Sequence, residues 1–141
     1  MSQERRPVVL VVDDEPDIRA LLKLVLESRG YDALTAADGF EALGTLEGYT
    51  PVDVLILDER MPMMSGSDLL LQLKAIPQRV GLPVICISAF GADGHGQRML
   101  DLGADAFLPK PFTIADLTAT LERLLADDAL SGEPRVLSAT R

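Results

Sequence analysis

The chain has 141 residues, 48% of them hydrophobic, and a formal net charge of −9 at pH 7. This length and composition indicate about one globular domain and not a disordered chain. The negative charge argues against non-specific binding to nucleic acids or anionic membranes, which requires a basic surface. A single cysteine, Cys86, excludes an internal disulfide. No apolar stretch approaches the roughly 18 residues of a membrane-spanning helix, so we expect a cytoplasmic protein.

Strand-like and helix-like segments alternate from the beginning of the sequence. The first apolar run, Val8–Val12, predicts a central strand and is followed by Asp13 and Asp14. Pro16 suits the first turn of a helix, where its missing N–H has no cost, and Gly30 is typical of a residue that ends one. We therefore predict a strand and then a helix in this part of the chain.

The next two predicted strands are Tyr31–Ala36 and Val52–Leu57, and Asp58 follows the second of them. Between these strands, Asp38 and Glu41 resemble a capping box that opens a short helix. That helix has three apolar residues at helical spacing, which we expect to face inward. They are Phe40, Leu43 and Leu46.

The second half of the chain continues the alternation. A leucine-rich helix is predicted over Asp68–Ile76, and the strand Val84–Ile87 is followed by Ser88. A glycine-rich stretch then predicts a helix that begins late, because each glycine lowers helix stability by about 1 kcal/mol. The last predicted strand is Ala106–Leu108, and Lys110 follows it between two prolines.

Five strands and five helices in alternation predict an α/β fold of the flavodoxin-like, doubly wound (βα)5 type. Right-handed crossovers between parallel strands allow few topologies, and of these we expect a parallel five-stranded sheet of order 2-1-3-4-5 with helices on both faces. Thr113 and Asp116 can cap the fifth helix, which we expect to end near Ala126. The predicted organisation is an N-terminal extension over residues 1–6, one domain over 7–126, and a tail or linker over 127–141.

Five polar residues lie at or just beyond the ends of four predicted strands. They are Asp13, Asp14, Asp58, Ser88 and Lys110. The carboxyl ends of parallel strands lie on one edge of an open sheet, so these side chains should converge there. Two carboxylates about 5 Å apart repel each other by roughly 3 kcal/mol at an effective dielectric constant near 20. A divalent cation removes this repulsion, and a site made only of oxygen ligands favours Mg²⁺.

An alternative is that Asp13 and Asp14 are only acids near the positive end of the first helix dipole. That interpretation leaves Asp58 and Lys110 unexplained. A carboxylate held by a metal ion beside a lysine is equipped for phosphoryl transfer, because the carboxylate can act as a nucleophile and form an acyl phosphate. The cation, Lys110 and the Ser88 hydroxyl can then each contact one phosphoryl oxygen.

These residues lie in motifs that resemble the receiver domain of two-component response regulators. The resemblance extends over roughly Pro7 to Ala126, and the motifs occur in the order and at the spacing of that family. They are Val11-Val12-Asp13-Asp14-Glu15-Pro16, Leu57-Asp58-Glu59-Arg60-Met61-Pro62 with Gly66, Ile87-Ser88-Ala89, Gly103-Ala104, and Phe107-Leu108-Pro109-Lys110-Pro111-Phe112.

The resemblance implies that Asp58 accepts a phosphoryl group from a phosphohistidine on a sensor histidine kinase or a histidine phosphotransfer protein. It implies that Asp14, Asp58 and the backbone carbonyl of Arg60 ligate Mg²⁺ (or Mn²⁺) directly, while Asp13 acts mostly through water. It also implies that Lys110 contacts the phosphoryl group. Such a protein turns over only its own modification, so we expect a phosphorylation-controlled switch and not an enzyme.

The resemblance further implies a switch pair, Ser88 and Phe107, and a cis peptide bond between Lys110 and Pro111. Ser88 would move toward the phosphate and Phe107 would rotate inward behind it, which changes the face formed by the fourth helix, the fifth strand and the fifth helix. That face would control a downstream effector protein, an output domain outside this chain, or a phosphorylation-dependent dimer. We expect no direct binding to nucleic acid or membranes.

This chain departs from the family pattern at the edge of the pocket. Phe107 stands where many receivers have tyrosine, and phenylalanine cannot donate a hydroxyl hydrogen bond. Arg60 and Phe90 occupy positions that flank the path of the attacking water in receivers, so we predict that these large side chains slow the loss of the phosphoryl group. The alternative is that both side chains point away from that path.

Three other interpretations compete with a phosphorylated receiver. A flavodoxin-like FMN-binding protein would offer hydroxyl groups and glycines to a phosphate in its first loop, whereas the acidic Asp13–Glu15 segment repels one. A haloacid-dehalogenase-type phosphatase would have an aspartate two residues after its nucleophile, where this chain has Arg60. A receiver-like interaction module that is not controlled by phosphorylation is the third, and the intact set of five residues argues against it.

Overall fold

A parallel sheet of five strands forms the centre of the structure, a computed structural model that describes residues 5–89 and 95–131. The strands are β1 (Val8–Val12), β2 (Asp32–Ala36), β3 (Val54–Asp58), β4 (Val84–Ser88) and β5 (Ala106–Pro109). Their order in the sheet is β2-β1-β3-β4-β5, and neighbouring strands pair in parallel. The predicted fold class and strand order are therefore confirmed.

Helices follow the strands in the predicted alternation. They are α1 (Pro16–Ser28), α2 (Gly39–Glu47), α3 (Gly66–Leu73), α4 (His95–Asp101) and α5 (Ile114–Ser131). As the sequence predicts, the Asp38 side chain accepts a hydrogen bond from the Glu41 N–H at the start of α2 (2.8 Å), and Thr113 accepts one from the Asp116 N–H at the start of α5 (2.9 Å). The Glu41 carboxylate accepts from the Ala37 N–H, so α2 has the cap without the reciprocal bond of a capping box.

Helix α3 is displaced toward the N-terminus relative to its predicted bounds. Ser65 and Asp68 form a reciprocal capping box, so the first helical residue is Gly66 and not Asp68. The helix also ends before the predicted Ile76, because Pro77 disfavours the helical conformation for the residue that precedes it. The earlier start places Gly66 and Ser67 in contact with the residues at the end of β3.

Both faces of the sheet are covered, as the sequence predicts. Alternate positions of β1 and β3, such as Val9 and Ile56, pack with residues of α1 and α5 in one apolar layer. The intervening positions, such as Leu10 and Leu57, pack with residues of α2, α3 and α4 in the other. Most residues of the three inner strands are fully buried, which explains why these strands read as continuous apolar runs.

The inward face of α2 differs from the prediction. Leu46 is buried, but Phe40 is 56% exposed, so the expectation that Phe40 faces inward is wrong. The buried residues of this helix are Gly39, Ala42 and Leu46, a stripe that lies beside the predicted one. A Cβ atom on Gly39 would lie 2.5 Å from the Met64 sulfur, so the close contact that orients α2 is made by a glycine, which hydrophobic periodicity does not detect.

Two arginines in the predicted N-terminal extension belong to the folded structure. Arg5 forms a bidentate ion pair with Asp53, with N–O distances of 2.8 and 2.9 Å. Arg6 donates to the Asp32 carboxylate (3.0 Å) and to the Tyr31 carbonyl (2.7 Å). These contacts attach the segment that precedes β1 to the sheet.

The last helix is longer than the sequence predicts. Helix α5 passes the expected end near Ala126 and continues to Ser131, because no glycine or proline follows Ala126 until Gly132. The remainder of the predicted tail lies outside the described residues. Within the described part of the chain, no helix combines the length and apolar character needed to cross a bilayer.

Candidate functional site

The carboxyl ends of the strands meet at one edge of the sheet. Asp13 directly follows β1, Asp58 is the last residue of β3, and Ser88 is the last residue of β4. Lys110 follows β5, and its N–H donates a hydrogen bond to the Ser88 carbonyl (2.8 Å). The strand order β1-β3-β4-β5 thus brings residues from four distant parts of the chain to adjacent positions.

Three carboxylates form the centre of this edge. Asp13, Asp14 and Asp58 each offer a carboxylate oxygen, and the three oxygens lie within 4.8 Å of one another. The side chains of Asp13 and Asp58 are buried, whereas Asp14 is exposed. Oxygen donors at this separation fit a hard divalent cation that keeps some of its water ligands. The structure therefore brings together the three carboxylates that the sequence predicts as a metal site.

Two hydrogen bonds, one with β2 and one with α1, hold the backbone of Asp13 in place. Its N–H donates to the Ala36 carbonyl at the end of β2 (3.1 Å), and its own carbonyl accepts from Arg19 of α1 (2.7 Å). Its carboxylate accepts from the Glu15 N–H (2.9 Å). These bonds keep the β1–α1 turn closed, so that both aspartates of the turn remain beside Asp58.

Burial and charge repulsion raise the pKa of two of these carboxyl groups. Burial raises the pKa of Asp58 to about 6, and the nearby charge of Asp13 adds to this effect. The Lys110 ammonium, 3.6 Å from Asp58 Oδ2, and the Arg60 N–H, 3.3 Å from Oδ1, act in the opposite direction. Burial also raises the pKa of Asp13, against the bond from the Glu15 N–H. One lysine therefore leaves a surplus of negative charge, which a bound cation would balance.

The predicted switch residues lie on β4, which pairs with the strand that carries Asp58, and on β5, the next strand of the sheet. Ser88 is buried at the end of β4. Phe107 of β5 is half-buried and packs against the apolar layer that contains Leu57. The peptide bond between Lys110 and Pro111 is cis, as the resemblance implies.

An open cleft of about 860 Å³ lies beside two of the three carboxylates, Asp14 and Asp58. Asp14, Asp58 and Lys110 line it on the sheet side, and Met61 and Pro62 line it on the side of the β3–α3 loop. Arg60 is exposed at the same cleft. Phe90, its predicted partner in shielding the site, lies outside the described residues.

Glu59 is a buried part of the site that the sequence analysis quoted only within a motif. Its two carboxylate oxygens accept hydrogen bonds from the N–H and the hydroxyl of Ser67, both at 2.8 Å. The alternation of a strand offers the signal that was missed: Glu59 continues the side of β3 that carries Leu57, which faces the layer of α3 and α4. A charged residue on that side requires a buried polar partner.

The chain is similar to a known protein family over most of its length. The model of the response regulator receiver domain matches residues 9–122. The transcriptional regulatory protein CpxR of Escherichia coli strain K12 is 39% identical over 117 residues, which cover 83% of this chain and 48% of CpxR. The chain thus spans about half the length of the curated relatives it matches.

Solved structures give the same result. The chemotaxis protein CheY4 of Vibrio cholerae matches with a TM-score of 0.79 and 33% identity, over 84% of this chain and 98% of CheY4. The receiver domain of the sensor histidine kinase PA1611 of Pseudomonas aeruginosa PAO1 matches with a TM-score of 0.79 and 27% identity, over 87% of this chain and 99% of that domain. That structure has a magnesium ion coordinated in the active site cleft.

Proposed function

The chain belongs to the response regulator receiver domain family, and we propose that it is a switch in which Asp58 carries the phosphoryl group. The observation that carries this proposal is the environment of Asp58. Its carboxylate is buried, shares a 4.8 Å cluster with Asp13 and Asp14, and lies 3.6 Å from the Lys110 ammonium. Buried acids beside the Lys110 ammonium form a pocket suited to a metal ion and a phosphoryl group.

In the proposed transfer, an oxygen of Asp58 attacks the phosphorus of a phosphohistidine on a histidine kinase or a histidine phosphotransfer protein. The new O–P bond forms as the P–N bond breaks, and the released imidazole takes a proton from water. Lys110 then pairs with one phosphoryl oxygen, and the Ser88 hydroxyl donates a hydrogen bond to another. Hydrolysis of the acyl phosphate later restores Asp58, so the chain turns over only its own modification.

The same pocket would hold Mg²⁺ or Mn²⁺. Asp14, Asp58 and the backbone carbonyl of Arg60 are the proposed direct ligands, and Asp13 would act through water. Oxygen-only donors and a surplus of negative charge support this assignment. When bound, the ion neutralises charge on the phosphoryl oxygens. The hydrogen bond that the Glu15 N–H donates to Asp13 holds the Asp13 carboxylate in place beside this site.

The proposed signal is a shift between two conformations of the α4–β5–α5 face. A phosphoryl group on Asp58 offers Ser88 a hydrogen bond only when Ser88 is close, so phosphorylation favours that conformation. It shifts the equilibrium by no more than the difference in its affinity for the two states. Phe107, which is half-buried in β5, would rotate inward behind Ser88 without the hydroxyl bond that tyrosine provides. The changed face would bind an effector protein, an output domain, or a second copy of the chain.

The proposed function is tested by incubating the protein with acetyl phosphate and Mg²⁺ and measuring its intact mass. We expect the gain of one phosphoryl group, which EDTA prevents. Asp58→Asn should abolish the gain, whereas Asp17→Asn, an exposed aspartate in α1, should retain it. No gain in the wild-type protein would favour the interaction module that is not controlled by phosphorylation. An equal gain in Asp58→Asn would show that another residue is modified.

Arg60 provides a prediction about how long the phosphoryl group persists. Its exposed side chain borders the cleft through which water reaches Asp58. We expect Arg60→Gly to lower the barrier to hydrolysis by about 1 kcal/mol and to shorten the phosphoryl lifetime about fivefold. Loss of the phosphoryl group is followed by intact mass after acetyl phosphate is removed, with the exposed Met63→Gln of the same loop as control. An unchanged lifetime would mean that Arg60 points away from the path of the water.

A further inference from the structure

The segment that carries Asp58 is fixed by contacts around Glu59, the next residue. The Glu59 N–H donates to the Ile87 carbonyl of β4 (3.1 Å), and the Glu59 carbonyl accepts from the Gly66 N–H at the start of α3 (3.0 Å). Glu59 is only 8% exposed, and both of its carboxylate oxygens accept hydrogen bonds from Ser67. One residue thus links β3, β4 and α3 directly behind the phosphoryl site.

These bonds satisfy the first donors of α3. The initial N–H groups of a helix have no acceptor within the helix, and they carry the positive end of its dipole. Glu59 accepts from the Gly66 N–H with its carbonyl and from the Ser67 N–H with its carboxylate, while the Ser65 side chain accepts from the Asp68 N–H. A carboxylate is the preferred acceptor at this position, which explains how a charged group is tolerated there.

The packing at this junction leaves little freedom. A Cβ atom on Gly66 would lie 2.8 Å from the Asp58 carbonyl oxygen and 2.9 Å from the Glu59 Oε1 atom. The Ser67 hydroxyl also lies 3.4 Å from the sulfur of Met99, which is fully buried on α4. The peptide between Asp58 and Glu59 is therefore in direct contact with α3, which in turn contacts α4, so a shift of either helix would displace it.

We propose that Glu59 is a positioning residue, whose two hydrogen bonds to Ser67 hold the Asp58–Arg60 segment in the geometry that binds a divalent cation. The inference rests on the proposed function, because Asp58 and the Arg60 carbonyl are the proposed ligands. Glu59 does not join the ligand set itself. Among the described residues, the carboxylates close enough to share an ion are Asp13, Asp14 and Asp58.

The test is direct binding of Mn²⁺, measured from the electron paramagnetic resonance of the free ion, at a temperature where each variant is folded. Glu59→Leu keeps a side chain of similar size and removes both acceptors, and we expect it to weaken Mn²⁺ affinity about tenfold. Glu59→Gln should stay close to the wild type, because its amide can accept from the Ser67 N–H while it donates to the hydroxyl. Ser67→Ala should also weaken Mn²⁺ binding, by a smaller factor than Glu59→Leu. If Glu59→Leu does not fold, the Mn²⁺ affinity of Ser67→Ala is the test, and an affinity equal to that of the wild type overturns the inference.

Arg79→Met is the control for a general loss of stability. Arg79 is buried near the amino-terminal ends of the strands, where it donates to the carbonyls of Leu46 and Thr50 (2.8 and 2.7 Å). This variant should lose stability and keep its Mn²⁺ affinity. The inference is overturned if Glu59→Leu binds as the wild type does, or if Arg79→Met is weakened equally. Failure of the wild-type protein itself to bind Mn²⁺ would overturn the proposed function as well.

Discussion

Asp58→Asn should stabilise the metal-free protein at neutral pH by up to about 3 kcal/mol, and this gain should vanish near pH 4. Burial and the charge of Asp13 raise the pKa of Asp58 from 3.8 to about 6 in the folded state. A raised carboxyl pKa means that the folded state prefers the protonated form. The contribution of Asp58 to stability is therefore complete below pH 3.8 and is lost as the pH rises through 6, and this difference in pKa corresponds to about 3 kcal/mol.

Asparagine is neutral at every pH in this range, so Asp58→Asn does not lose the stability that the wild type loses when Asp58 ionises. The value of about 6 already includes the opposing attraction of the Lys110 ammonium, whose side chain is 27% exposed and remains partly solvated. Urea unfolding in EDTA at pH 4 and at pH 7.5 measures the difference between variant and wild type. Glu47→Gln removes a charge from an exposed position and should change stability by less than about 0.5 kcal/mol at either pH.

Saturating Mg²⁺ should remove the difference in the free energy of unfolding between Asp58→Asn and the wild type at neutral pH. The ion binds the ionised carboxylates and so stabilises the folded wild-type protein. It stabilises the variant less, because the variant lacks one proposed ligand. A gap that persists from pH 7.5 down to pH 4 would contradict the account, since Asp58 would then not be the group that titrates. If Mg²⁺ does not change this difference in stability, the buried acid is not part of the metal site.

Gly66→Ala should destabilise the protein by about 2 kcal/mol, because its new methyl group enters a filled space. Two of the three nearest atoms belong to the backbone of Asp58 and Glu59, which cannot rotate away as a flexible side chain can. Either α3 or the end of β3 must move, so divalent-cation affinity should fall together with stability. Urea unfolding and Mn²⁺ binding measure the two effects.

Gly44→Ala is the matched control for Gly66→Ala. Gly44 lies within α2, and a Cβ atom placed on it would have no neighbour within 4 Å. Alanine is a better helix former than glycine, so this variant should gain up to about 1 kcal/mol of stability and leave cation binding unchanged. A gain of stability in Gly66→Ala as well would show that α3 is not packed closely against the segment that carries Asp58.

The carboxylate cluster could be predicted from the sequence because it depends on topology alone. Each of its residues lies where an apolar run stops, and the parallel order of the strands brings those positions together whatever the details of packing. Lys110 follows from the same argument. The alternation of strands and helices predicts a parallel sheet, and right-handed crossovers leave few strand orders, of which 2-1-3-4-5 is the one that we expect.

The contact between Glu59 and Ser67 could not be predicted in the same way. It depends on where α3 begins, and the sequence analysis placed that start at Asp68. With the helix starting at Gly66, the Ser67 N–H becomes an unpaired donor at a buried helix end and requires an acceptor. Phe40 illustrates the same difficulty, because the face that α2 buries is decided by the close approach of Gly39 to Met64 and not by hydrophobic periodicity.

The central claim is that Asp58 reversibly carries a phosphoryl group, and chemical trapping tests it most directly. Protein treated with acetyl phosphate and Mg²⁺ is reduced with borohydride, which converts an aspartyl phosphate to homoserine, and the modified peptide is located by mass spectrometry. The account predicts reduction at Asp58 alone and none when EDTA replaces Mg²⁺. Reduction at Asp13 or Asp14, or an unmodified Asp58 in protein that has gained a phosphoryl group, would contradict it.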